Sequence, residues 1–163
     1  MKIKLVFRST CIIILYIISG CNNHKNIVLG NETIAKSFIE SLNEHNVNKL
    51  ISLFAENCLY EEVASGRSYS NKSRIADYIE STISGIPDSK FEIIEILANE
   101  HLAVIEWIWK GTNSVGWKDM EIPATNEYFE LRGLSIMEIE DRLIKRNSDY
   151  WDWNSFMKGI GVN

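Results

Sequence analysis

Near the end of the chain the heptapeptide NSDYWDW, Asn147 to Trp153, sets two carboxylates among three large aromatic rings. A carboxylate held among rings loses hydration, and its pKa rises toward the range useful for proton exchange near neutral pH. An aspartate immediately ahead of a helix has a second use, because its side chain can accept hydrogen bonds from the first free N–H groups as an N-cap. Both uses are open to Asp152, which precedes the helical stretch WNSFMKG. Strand alternation assigns sides. If Ile144 faces the core and no bulge intervenes, Arg146, Ser148, Tyr150 and Asp152 share its face, while Asp149 and Trp151 point the other way. On this reading Asp152 is the candidate acid/base and Asp149 is a solvated or ion-paired surface acid. Tyr150 either packs or donates to a substrate carbonyl, where negative charge would develop. Ser148 is a polar ligand contact on the same face.

Other residues could complete such a pocket. Tyr60 and Glu62 share one face of an earlier strand. Glu62 is either a second acid near a cavity mouth, paired with Asp152 or Arg146, or a solvated acid at a strand end, since glutamate is seldom buried without a partner. Trp107 and Trp109 alternate with Glu106 and Ile108, so both indoles point to one side, as core or as a flat apolar wall for a ring-shaped ligand. Ser135 follows Gly133 on one face and could reach a ligand if the glycine leaves room; Arg132 lies on the opposite face. His24, His45 and His101 show no ligand-like spacing, so no metal is expected. His45 and His101 fall in turns, which leaves the acid without a histidine partner.

These side chains need elements to hold them. From Glu32 the apolar residues Ile34, Ala35, Phe38, Ile39 and Leu42 follow helical spacing, and Val47, Leu50, Ile51 and Phe54 give a second short helix after an Asn/His turn. Cys58 to Val63 reads as a strand entering a loop. Asn71 or Ser73 can cap the next helix, striped by Ile75, Ala76, Ile79 and Ile83 and stopped near Gly85 and Pro87. Beyond Pro87 the period turns to alternation: strands around Phe91–Ile96, Leu102–Lys110, Glu127–Glu138 and Leu143–Trp151, then a last helix over Trp153–Lys158. Helices gathered on one side of a curved, mostly antiparallel sheet make an α+β domain.

The opening MKIKLVFRSTCIIILYIISGC has a basic start, an apolar run and small residues before Cys21, the layout of a secretory signal. Ile18-Ser19-Gly20-Cys21 resembles the bacterial lipobox. The expected organisation is a signal peptide over 1–20, a flexible tether over 21–30 with lipidated Cys21, and one domain over 31–163, exported and membrane-anchored. Removal of residues 1–20 takes three of the 17 basic residues and none of the 22 acidic ones, which moves the net charge from -5 to -8. An acidic chain with no basic run is a poor partner for nucleic acid. With Cys11 removed and Cys21 lipidated, Cys58 stands alone and no internal disulfide can form.

The order of elements, with LFAENCLYEEVASG (Leu53 to Gly66), SRIADYIES (Ser73 to Ser81), VIEWIWKGT (Val104 to Thr112), LRGLSIMEIED (Leu131 to Asp141) and DYWDWNSFMKGIG (Asp149 to Gly161), resembles the SnoaL-like polyketide cyclase group of the nuclear transport factor 2-like superfamily. The resemblance covers Glu32 to Val162. It implies a cone, in which a curved sheet wraps around helices in the manner of a cystatin-like roll and leaves an apolar cavity. In the cyclases an aspartate before the last helix acts as acid/base in an aldol ring closure without metal or organic cofactor, and Asp152 falls at that place. The resemblance also implies a homodimer through the outer sheet face. The combined expectation is a lipid-anchored domain binding a small apolar carbonyl- or ring-bearing molecule, with or without cyclase- or isomerase-type chemistry. The alternative is a non-catalytic ligand-binding or dimerising lipoprotein.

Overall fold

A computed structural model describes residues 4–162, with side chains from His24 onward except that of Asp119. The segment expected as a signal peptide and Cys21, the residue expected to carry lipid, fall on residues whose side chains lie outside that description. Helix α1, Lys4–Asn43, continues through the stretch read as a tether. Its described part is bound to the sheet: His24 Nδ1 sits 2.5 Å from Glu100 Oε1, and Asn31 Nδ2 donates to the Asn99 carbonyl at 2.8 Å. Among the described residues no helix is long and apolar enough to cross a membrane.

Ala35, Phe38 and Ile39 of α1 are buried, as their spacing requires. Asn46 caps α2, Val47–Ser52, by accepting from the Lys49 N–H at 3.0 Å. This helix stops short of the sequence expectation because Phe54 opens strand β1, Phe54–Glu62, and is fully buried there. A short strand absent from the sequence reading follows: β2, Arg67–Ser70, returns along β1 after a turn at Gly66, whose φ of 70° suits glycine. Asn71 then caps α3, Lys72–Gly85, accepting from the Arg74 N–H at 3.1 Å. The remainder is β3 (Lys90–Ala98), β4 (Leu102–Thr112), a 3-10 turn at Lys118–Met120, β5 (Tyr128–Glu140), β6 (Leu143–Trp151) and α4 (Trp153–Gly159).

The six strands form one curled, unclosed sheet in the order β2-β1-β6-β5-β4-β3, antiparallel except for the β1–β6 pair. Helix α1 packs on β3 and β4, α3 on β1 and β2, and α4 on β5, so the concave face is covered and the fold is the α+β cone expected. An aromatic cluster runs through the core: Trp109 stacks on Phe91 and Phe156, and Tyr78 on Tyr69 and Trp117.

The placement of every β6 side chain depends on one bulge. Ile139 of β5 pairs with Ile144, and Glu138 pairs with Arg146, so β6 spends one residue more than its partner at Lys145. β1 is irregular at the same level, between Phe54 and Leu59. An extra residue inverts the alternation downstream. Ile144 faces inward, and beyond the bulge Asn147, Asp149 and Trp151 take the inner face, leaving Tyr150 exposed.

Candidate functional site

Glu62 and Asp149 are register partners on the parallel pair β1–β6 and both line the cavity in the concave face. Glu62 is 2% and Asp149 8% exposed. Each carboxyl is held by neighbours of a different kind. Glu62 accepts from Trp151 Nε1 at 2.6 Å and from the Tyr78 hydroxyl at 2.5 Å. Asp149 accepts from the Tyr60 hydroxyl through Oδ2 and from Asn147 Nδ2 at 2.7 Å through Oδ1, and the hydroxyl of Ser135, its register partner across β5–β6, lowers its pKa. The Ser135 oxygen in turn accepts from Trp107 Nε1 at 2.9 Å. Asn147 Oδ1 is buried without a partner, so its amide serves the carboxyl through nitrogen alone.

No lysine, arginine or histidine lines this cavity among the described residues. Two adjacent carboxyls without a cation cannot both ionise cheaply in a dry site. Burial, and next the charge of Asp149, push Glu62 up to about 8. Burial raises Asp149 as well, but hydrogen bonds from Ser135, Tyr60 and Asn147 pull it back. Asp149 has three side-chain donors, and Glu62 has two and the Ala64 N–H; Glu62, raised by the charge of Asp149 as well as by burial, is the carboxyl that keeps its proton at neutral pH. The hydroxyls of Tyr60 and Tyr78 are pushed well above the ordinary tyrosine value, by burial first and then by the neighbouring carboxylates, and they remain donors.

Around this pair stand Phe38, Tyr60, Tyr78, Phe91, Trp107, Trp109 and Trp151, with Ile39, Leu42 and Ile79 from the helices. The cavity is narrow, about 30 Å³. Thr82, Ile83, Phe91 and Trp151 are its partly exposed lining residues and mark the mouth. A ring-bearing ligand would need these side chains to swing aside, whereas water fits as it stands.

The bulge overturns several sequence expectations. Asp152 is outside the cavity: it is exposed and caps α4, accepting from the Asn154 and Ser155 N–H groups at 2.9 and 3.2 Å and from the Ser155 hydroxyl at 2.6 Å. The Ser155 hydrogen bonds hold its carboxyl below the usual aspartate value, the opposite of what an acid needs. Tyr150 is 43% exposed and does not line the cavity. Ser148 donates to Glu61 Oε2 at 2.6 Å, and Arg146 binds Glu138 and Glu61, so neither reaches the cavity. Asp149, read as a surface acid, is instead the buried one. Glu62 is a buried pocket acid and not a solvated one, and its neighbour is Asp149 in place of Asp152 or Arg146. Tyr60, Trp107 and Trp109 do line the cavity. Ser135 lines it too, but Gly133 leaves room for the Trp107 indole, which binds the hydroxyl from within the wall. Tyr78 and Trp151 went unrecognised. Tyr78 stands outside the expected apolar stripe of α3 (Ile75, Ala76, Ile79 and Ile83), and the expected parity put Trp151 on the other face.

The fold agrees with the comparisons. The SnoaL-like domain family matches residues 35–147. The chain therefore belongs to the SnoaL-like family. No curated protein matches it in sequence. Among solved structures, a protein from Jannaschia sp. assigned as a SnoaL-like polyketide cyclase superposes with a TM-score of 0.76 at 8% identity, covering 84% of this chain and 95% of that one. A counterpart with the same assignment from Shewanella putrefaciens gives 0.69 at 15% identity, covering 80% and 95%. A hypothetical protein of ketosteroid isomerase-like fold from Catenulispora acidiphila, solved in complex with trimethylamine, gives 0.70 at 18% identity, covering 80% and 93%. At these identities the likeness is one of fold.

Proposed function

We propose that the cone binds a small carbonyl-bearing molecule and moves a proton on it, with Glu62 as the acid and Asp149 as the base. The observation that carries this reading is the pair of adjacent buried carboxyls with no lysine, arginine or histidine lining their cavity among the described residues, one of which holds its proton to about pH 8. An O–H of Glu62 aimed into an apolar cavity is a donor for a carbonyl oxygen. As Asp149 takes a proton from the carbon beside that carbonyl, the Glu62 proton passes to the oxygen, and the product is the enol. Return of a proton to another carbon would give an isomer, and attack of the enol carbon on a second carbonyl of the same molecule would close a ring. No step calls for a metal or organic cofactor. The polyketide cyclase and ketosteroid isomerase-like assignments of the structural neighbours are consistent with enol chemistry of this kind.

The test is hydrogen–deuterium exchange at the carbon beside the carbonyl of a small ketone, followed by NMR. The protein should accelerate exchange above buffer, and Glu62→Gln and Asp149→Asn should each lower that acceleration by about 100-fold, the usual scale for a positioned acid or base. Saturable binding of the ketone without exchange would replace enzyme by binding protein.

The export reading accompanies this proposal. Its support is the lipobox-like ISGC at 18–21, and mass spectrometry of the membrane-extracted N-terminal peptide, with and without Cys21→Ser, tests it. Dimerisation through the outer sheet face rests on half-buried Val104, Ile108, Leu134 and Ile136 there, and sedimentation at high micromolar concentration decides it.

A further inference from the structure

The cavity wall contains an arrangement that the acid/base pair by itself does not require. Trp107 is the register partner of Gly133, and its ring occupies the place where a side chain on residue 133 would stand: a Cβ there would lie 2.2 Å from Cη2, 2.5 Å from Cζ3 and 2.8 Å from Cζ2. Seated so, the indole delivers its N–H to the Ser135 oxygen one strand over. A serine hydroxyl that accepts from an indole has its own proton free to donate elsewhere. Ser135 is wholly buried, and Asp149 is its partner across β5–β6.

We propose that Ser135, aligned by the Trp107 indole over Gly133, is a positioning residue that decides which of the two carboxyls carries the proton. It rests on the reading of Glu62 and Asp149 as the acid/base pair. The groups that face the pair are few. β1 supplies Tyr60, α3 supplies Tyr78, β6 supplies Asn147 and Trp151, β5 supplies Ser135 and β4 supplies Trp107; the α1 and β3 residues lining the cavity, Phe38, Ile39, Leu42 and Phe91, do not titrate. Tyr60 and Tyr78 each give one hydroxyl to one carboxyl, so they treat the pair evenly. Asn147 and Ser135 favour the charge on Asp149, and Trp151 and the Ala64 N–H favour it on Glu62, so the balance is close. Without the Ser135 donor Glu62 has one donor more than Asp149, and the proton moves toward Asp149.

The experiment labels the carboxyl carbons of the full chain and follows Glu62 and Asp149 by NMR from pH 5 to 9, in wild type and in the Ser135→Ala, Ser135→Thr and Trp107→Phe variants. Ser135→Ala should raise the titration of Asp149 and lower that of Glu62. Trp107→Phe should move both in the same directions by less, and the Ser135→Ala/Trp107→Phe double variant should add nothing to Ser135→Ala. Ser135→Thr, which keeps the hydroxyl, should restore the wild-type order. Where ketone exchange is measurable, Ser135→Ala should cost about tenfold through loss of a hydrogen bond to a charged group and shift the pH profile. An unchanged order of titration in Ser135→Ala overturns the proposal. Absence of ketone exchange in wild type would remove the catalytic reading and leave this titration test intact, so the two failures are separable.

Discussion

At the scale of single residues, two aspartates three positions apart have opposite environments. Asp149 is enclosed and its charge is bound by donors, whereas Asp152 is in water with its carboxyl on the first N–H groups of α4. Removing each should therefore have unlike consequences. Asp152→Ala takes away a cap and should cost about 1 kcal/mol of stability, read as a lower urea midpoint with an unchanged slope, while Glu62 and Asp149 titrate as before. Asp149→Asn removes the charge that helps hold the Glu62 proton, and the Glu62 titration should fall from about 8. If Asp152→Ala instead moved the Glu62 titration, the separation of cap and pocket would be wrong.

At the scale of elements, the bulge at Lys145 decides which acid is inside. Deleting Lys145 removes the extra residue and leaves Arg146 to Trp151 opposite their present β5 partners, so Asn147, Asp149 and Trp151 should stay inward. The deletion should therefore keep the Glu62 titration near 8 and the Trp fluorescence of the wild type, with any loss of stability confined to the strand start. A deletion variant whose Glu62 returned to the ordinary glutamate range, with its indoles exposed, would show that Lys145 is not the residue β6 spends in the bulge. Much of the fold was legible because its signals are periodic: the Ile34–Leu42 stripe, the Asn71 cap and the Trp107–Trp109 alternation all stand where the spacing puts them. The site was legible only in part. Tyr60, Glu62, Trp107, Trp109 and Ser135 followed from strand parity, which holds within any unbroken strand. Asp149 and Asp152 were exchanged because a bulge at a lysine has no Gly or Pro to mark it, and because an acid is ordinarily assumed to seek water. β2 was missed since RSYS is four residues long and lacks an apolar alternation.

At the scale of the whole molecule, the buried pair should leave its mark on stability. The folded state keeps Glu62 protonated up to about pH 8, while an unfolded glutamate ionises near its ordinary value of 4.5. Below that value both states hold the Glu62 proton and Glu62 adds no pH dependence. Between there and pH 8 the unfolded state has released a proton the folded state retains, so stability falls as pH rises and levels off above the folded value. The sign is opposite to that of a salt-bridged acid, and the size is on the order of a few kcal/mol, since each unit of difference is about 1.4 kcal/mol. Glu62→Gln, nearly the same shape and uncharged, should flatten this slope and be more stable than wild type at pH 8, with Tyr78 and Trp151 still bonded to residue 62. Urea midpoints of the two proteins at pH 5 and pH 8 measure it directly: they should nearly coincide at pH 5 and separate at pH 8. A wild-type midpoint that rises from pH 5 to pH 8 as much as that of Glu62→Gln would mean that Glu62 ionises freely in the fold, and the acid role would go with it. The same slope gives an independent reading of ligand. A carbonyl compound that accepts the Glu62 proton as a hydrogen bond should bind more weakly as pH rises through 8, whereas an apolar molecule that only fills the cone should show no such change.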